Sequence, residues 1–197
     1  MINQPTEPSG IRMITISGRI ASGSTSLAKH LADALGWRHV EGGEIFWEAV
    51  RSKLGLDSKD TNKRPDVEDK DFDESLKKIL KEQKHIVLET KLAGFNAQEI
   101  KGVFKILVVC EDKKGKDQTG IRIDRFVNRE GVHIATAKEE VIEREQNDLN
   151  KWRRMYAKGD PNWLYYNPKY YDLVINTFDH DQEEAFEIAL KAIKLHH

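Results

Sequence analysis

The first unbroken apolar run, residues 13–17 (MITIS), ends at Gly18 and predicts a buried strand. A loop of small residues follows, 18–23. Leu27, Leu31 and Leu35 then recur at i, i+4 and i+8, and Gly36 stops the pattern, predicting a helix over 26–35. Residues 37–40 read as a short strand, and Gly42-Gly43 opens a helix reaching Leu54. The stretch 55–64 is polar and turn-rich and is closed by Pro65. Residues 66–84 form a charged amphipathic pattern with Leu76, Ile79 and Leu80 facing inward. HIVLE (85–89) and FKILVVC (104–110) predict two more strands, the second apolar enough to be covered on both faces. A solvated loop over 111–120 leads to a helix over 121–129 that ends before Gly131. A highly charged helix spans 138–157, a last strand 172–177 and a last helix 182–195. Strands alternating with helices predict a parallel sheet wrapped by helices. Residues 1–10 lack any hydrophobic pattern and read as a loose tail. Residues 11–197 read as one domain, since no repeat or linker divides them.

Composition narrows the class. The chain has 197 residues, 39% apolar and 33% charged, enough for a core under a charged surface. With 32 basic and 33 acidic residues the net charge is -1, which argues against non-specific nucleic-acid binding. No apolar run reaches the roughly 18 residues of a membrane span. The N-terminus lacks the basic start and apolar stretch of a signal peptide, so a cytoplasmic location is expected. Cys110 is the single cysteine, which excludes an internal disulfide and a cysteine-based zinc site. The seven histidines show no metal-ligand spacing.

The strongest chemical signal is strand, glycine loop, helix: Gly18-Arg-Ile-Ala-Ser-Gly23-Ser24-Thr25. It follows the phosphate-binding pattern G-x-x-x-x-G-K-[ST], with Ser24 where the lysine belongs. Successive backbone N–H groups and a helix N-terminus still suit an anion, and Thr25 is placed to ligate Mg²⁺. An ordinary strand–helix turn remains the alternative. Arg19, just after the first glycine, either returns a cation to the phosphates or is a solvated loop arginine. Arg122, Arg125 and Arg129 recur at i, i+3 and i+7 on one helix face. They are either a phosphate clamp or a solvated face paired with neighbouring acids.

The runs ITISGRIASGST, LAKHLADALGW, GGEIFW, IVLETKLAG (86–94), RIDRFVNREG (122–131), EREQND (143–148) and YYDLVINT (170–177) together resemble the archaeal-type cytidylate (CMP) kinases. These are P-loop nucleoside monophosphate kinases. The resemblance runs in order from about Arg12 to Ile193. It implies a five-stranded parallel sheet flanked by helices, an acceptor-binding region at about 42–84 and a short helical lid at about 112–135. It implies ATP and Mg²⁺ as the phosphoryl source, CMP or dCMP as acceptor, and a monomer whose partners are small nucleotides. On this pattern Gly18, Ala21, Ser22, Gly23, Ser24, Thr25 and Ser26 bind the ATP phosphates. Arg19, Arg122, Arg125 and Arg129 serve catalysis. Glu44, Arg51, Asp69, Asp73, Lys91, Gly94 and Lys151 bind the acceptor.

The chain departs from the family mostly on the acceptor side. Trp47, Lys91 and Lys151 stand where the family usually has arginine. Lysine keeps the charge without the bidentate fork, and Trp47 keeps neither. Arg51, one turn on, is the expected substitute. The pair Asp69/Asp73 either faces the base or sugar, or is an acidic helix start. In WLYYNPKYY (163–171) most rings are expected to pack, with one available to stack on adenine. Transfer to a different nucleotide or small metabolite, and nucleotide binding without turnover, stand as the rival functions.

Overall fold

The computed structural model describes residue 8 and residues 10–195, so the expected tail at 1–10 lies outside the described residues apart from Pro8 and Gly10. Five parallel strands form one sheet in the order β2-β3-β1-β4-β5: β1 Met13–Gly18, β2 Arg38–Glu41, β3 Ile86–Glu89, β4 Val103–Val109 and β5 Leu173–Asn176. β1 is central and fully buried, with Ile14 beside Val87 of β3 and Phe104 of β4. Hydrophobic strands need cover on both faces, and the helices supply it. α1 (Ser24–Leu35) and α8 (Gln182–Leu195) pack Leu27, Leu31, Leu35, Ala189 and Ile193 against one face. α3 (Asp66–Glu82) packs Leu76 and Leu80 against the other. α2 (Gly42–Leu54) bridges β2 and α3 at the carboxyl ends of the strands, where parallel sheets bind ligands.

Several boundaries differ from the sequence reading. α1 begins at Ser24, because left-handed Gly23 (φ 107°) turns the chain directly into the helix. A four-residue helix, α4 (Ala93–Asn96), is too short to leave a periodic signal. α5 (Thr119–Glu130) starts two residues early and ends on left-handed Gly131. The predicted helix at 138–157 is composite. It consists of α6 (Ile134–Lys138), a widened π turn at Glu139–Arg144, and α7 (Glu145–Tyr156). Trp163 and Tyr165 pack with Trp152 and Leu149, so those rings are core. Among the described residues no helix is long and apolar enough to cross a membrane.

Candidate active site

The loop after β1 is shaped by its glycines. A Cβ on Gly18 would press into the Ser22 hydroxyl and stand 3.0 Å from the Val108 carbonyl. Ala21 adopts the left-handed region at φ 60°, which turns the backbone around the cavity below. That cavity is about 300 Å³ and includes Gly18, Gly23, Ser24 and Thr25 in its lining, at the N-terminus of α1. This is the geometry of an anion cradle. Ser22 is buried, and Ser26 flanks the cradle in a second cavity toward α8.

At position 24 the hydroxyl is held by a carboxylate. Ser24 Oγ and Thr25 Oγ1 both donate to Glu89 Oε1, at 2.9 and 2.7 Å. His39 Nε2 stands 3.4 Å from the other Glu89 oxygen. Two hydroxyls on one carboxylate form the oxygen donor set that a hard divalent cation accepts, so the residues fit Mg²⁺. Glu41, on the same cavity, is held above the usual carboxylate range by burial and by the Glu89 charge.

The four expected cations occupy unequal positions. Arg19 lines the cavity while two carboxylates hold its guanidinium. Its Nε donates to Glu145, its Nη1 pairs with Asp117 at 3.0 Å, and Tyr166 covers it at 5.0 Å. Burial acts against the charged guanidinium, but Glu145, Tyr166 and Asp117 outweigh it and raise its pKa. Arg122 is fully buried, bound bidentately to Asp117 and also to Glu145 and the Ile20 carbonyl. Arg125 donates to the Thr177 hydroxyl and carbonyl at 2.8 and 2.7 Å, and Thr177 in turn donates to the Ser22 carbonyl. Only Arg129 stays exposed, paired with its neighbour Glu130 and lining the cradle. So the i, i+3, i+7 spacing put one arginine in the core, one on the loop and one at the cleft. Glu145, which also accepts from the Ile20 N–H at 3.2 Å, ties the first two cations to the phosphate loop.

A second, smaller cavity of about 120 Å³ adjoins the first and shares Gly43, Thr90, Lys91 and Arg144 with it. Its walls include Phe46, Trp47, Phe72 and Trp152. Residues 13–179 match the cytidylate kinase-like family. The chain belongs to that family. Cytidylate kinases of Haloarcula marismortui and Methanopyrus kandleri are each 31% identical to it, over 185 and 193 residues, covering 92% of this chain and 89% and 92% of theirs. Among solved structures, an uncharacterized protein from Eubacterium ventriosum has a TM-score of 0.63 at 18% identity, covering 94% of this chain and 99% of its own. A gluconokinase from Sinorhizobium meliloti has a TM-score of 0.58 at 14% identity, covering 95% and 93%. At these identities the structures speak to the shared fold alone.

Around the smaller cavity of this cytidylate kinase-like chain the side chains form ion pairs. Asp69 accepts from Arg64 Nε and Nη2 at 2.9 and 2.7 Å, and lies 2.7 Å from Lys151 Nζ. Lys151 also donates to the Arg64 carbonyl at 2.7 Å. Lys91 pairs with Asp148 at 2.8 Å. Burial lowers the Lys91 pKa against the pull of Asp148. Burial raises Asp148, but the charges of Lys91 and Arg144 bring it below the usual range. Asp73 accepts from Asn96 at 2.7 Å and from the Tyr156 hydroxyl, and burial pushes its pKa up to about 6. Gly94 is buried away from both cavities and donates its N–H to Ser17 Oγ at 3.0 Å. Glu44 and Arg51 sit on an outer cleft of about 640 Å³.

Arg51 shares the outer cleft with Trp47. It is exposed, 3.4 Å from Asp57. The cations beside Trp47 are Arg64, 4.7 Å from the ring centre, and Arg144, at 5.5 Å. Sequence reasoning missed both, along with Lys29, Glu89 and Glu145. The partners of Glu89 and Glu145 lie far along the chain, whereas Arg144 pairs with Glu140 one helical turn away and EREQND holds Arg144, Glu145 and Asp148 in one run. None of the rings at 163–171 lines the cradle.

Proposed function

We propose that the protein transfers the γ-phosphoryl of ATP to CMP or dCMP. The observation that carries this reading is the shared wall of the two cavities. A phosphate cradle and an aromatic slot meet at Gly43, Thr90, Lys91 and Arg144, so a donor and an acceptor would face each other across two cations. The family and its cytidylate kinase relatives supply the identity of the acceptor.

In this reading Gly18–Thr25 cradle the ATP phosphates through backbone N–H groups. Mg²⁺, held by Thr25 and Glu89, would neutralise phosphate charge. Phosphoryl transfer through a loose transition state needs positioning and cations more than a strong base. Arg144 stands where the phosphoryl passes, and Arg129 on α5 supplies a second cation as the lid closes. Closure also excludes water, which strengthens both contacts. The slot is too small for a whole nucleotide, so it takes the base, while sugar and phosphate occupy the outer cleft beside Trp47. A single-domain, monomeric, cytoplasmic enzyme belongs to the same reading.

The test is a coupled ADP-release assay across the common monophosphates. CMP and dCMP are expected to turn over fastest. Equal or faster turnover of AMP overturns the acceptor assignment, and ATP binding without turnover of any acceptor supports a non-catalytic protein instead.

A further inference from the structure

Arg64 comes from the polar stretch between α2 and α3, outside every motif described above. It is 3% exposed. Two of its three guanidinium nitrogens are spent on Asp69. The third, Nη1, is buried and has no hydrogen-bond partner among the described residues. An orphaned N–H of a buried cation is costly, and native structures retain one where something else will accept from it. Arg64 also lines the aromatic slot.

The guanidinium is held unusually firmly. Its carbon lies 4.8 Å from the Phe46 ring centre and 4.7 Å from that of Trp47, so two aromatic faces and one bidentate carboxylate fix its plane. The loop that delivers it is pinned to α7: Thr61 donates to Asp148 at 2.9 Å and Lys151 holds the Arg64 carbonyl. A donor fixed in this way discriminates by geometry as well as charge.

The rest of the slot says what it donates to. Asp69, Asp73 and Asp148 line the same space and balance its three cations, Arg64, Lys91 and Arg144, so a phosphate dianion there would leave the slot with excess negative charge. A neutral planar ring would not. It would stack on the aromatic walls, accept from Nη1 and offer an amino group to a carboxylate. Cytosine has that edge, with O2 and N3 as acceptors beside the N4 amino group. Uracil places a donor at N3 and an acceptor at position 4, so it presents a donor to a donor.

We infer that Arg64 is a specificity-determining residue, reading the acceptor edge of the pyrimidine ring, with Trp47 as the plate that aims it. This rests on the reading of the slot as the acceptor site. The test compares CMP with UMP in the native chain, Arg64→Lys, Trp47→Leu and Trp47→Phe. Both kcat/KM and the dissociation constant measured by calorimetry without ATP are determined. A lost charge-assisted hydrogen bond predicts that Arg64→Lys lowers the CMP:UMP preference about 10- to 100-fold while the KM for ATP stays within about two-fold. Trp47→Leu should lower the preference less, and Trp47→Phe, which keeps a ring face, should restore most of it. A merely structural role would depress CMP and UMP by the same factor, and that result overturns the inference. So does a native chain with no preference for CMP. If CMP binds without turnover, the kinase reading fails alone, and Arg64 is judged on the ratio of dissociation constants. If neither nucleotide binds, both readings fail.

Discussion

The two halves of the cleft are built on different principles. The phosphate cradle is backbone: a central strand, two glycines, a left-handed alanine and a helix N-terminus, all within residues 13–25. The aromatic slot is side chain: Arg64 and Lys91 come from two loops, Asp69 from α3 and Asp148 from α7, with Lys151 of α7 bracing Asp69. A backbone site survives substitution of its side chains, which is how the cradle keeps its form with Ser24 in place of lysine. A site made of mutual ion pairs does not, because removing one member strands its partner in a low-dielectric space.

The latch beneath the cradle offers the strongest way to break that contrast. Glu145→Leu should leave Arg19 short of a partner and the fully buried Arg122 without its inner carboxylate. The expected loss is about 3–5 kcal/mol of stability, read by urea denaturation. If the loss is under about 1 kcal/mol, the loop is held by its backbone alone. Next in size is Arg129→Ala. As the one exposed arginine of α5, it should lower kcat on the order of 100-fold with ATP affinity unchanged. Arg125→Ala should instead weaken ATP binding and stability, because its partners are Thr177 and the loop. Identical kinetics in the two variants would contradict the division of roles.

Asp73 sharpens the other half. Its pKa is about 6 in the folded chain against 3.8 for the free side chain, so the folded state binds the proton more tightly. Its contribution is therefore full below about pH 4 and is lost as pH rises through 6. Asp73→Asn should flatten that part of the Tm–pH curve and stabilise the protein above pH 6 by on the order of 2–3 kcal/mol. A slope between pH 4 and 6 that persists in the variant would point to another group. The smallest effect expected is from Ser24→Lys. The new ammonium would meet Glu89 and the outer phosphates, raising kcat about ten-fold. No gain would mean that Arg129 and Arg144 already supply that charge.

The same division explains what the sequence disclosed. Four of the five strands could be placed from apolar runs to within a few residues, β2 having none, and the cradle was legible because its parts are consecutive. The ion pairs of Arg19 left no trace because its partners, Asp117 and Glu145, lie about a hundred residues away. The spacing of Arg122, Arg125 and Arg129 was legible, but which of them faces solvent depends on how α5 lies on the loop. Arg64 left no signal at all. It sits in a polar stretch, and its burial follows from Trp47 on one side and Asp69 on the other. Trp47 looked like a lost arginine, yet its ring supports one that arrives from elsewhere.

The π turn at Glu139–Arg144 carries a consequence for how the chain tolerates length changes. A widened turn holds one residue more than the regular helix around it. At 3.6 residues per turn, each residue added or removed swings everything beyond it by about 100°. Downstream lie Glu145, Asp148 and Lys151, which contact the phosphate loop, Lys91 and Asp69 respectively. Winding the same residues 139–144 as regular α-helix would give a better hydrogen-bonded rod. It would also rotate all three contacts out of register at once, uncoupling the two halves of the cleft without altering any residue of either. The irregular turn thus acts as the indexing notch of a dial, and the locally less favourable conformation is the one that keeps the two halves aligned.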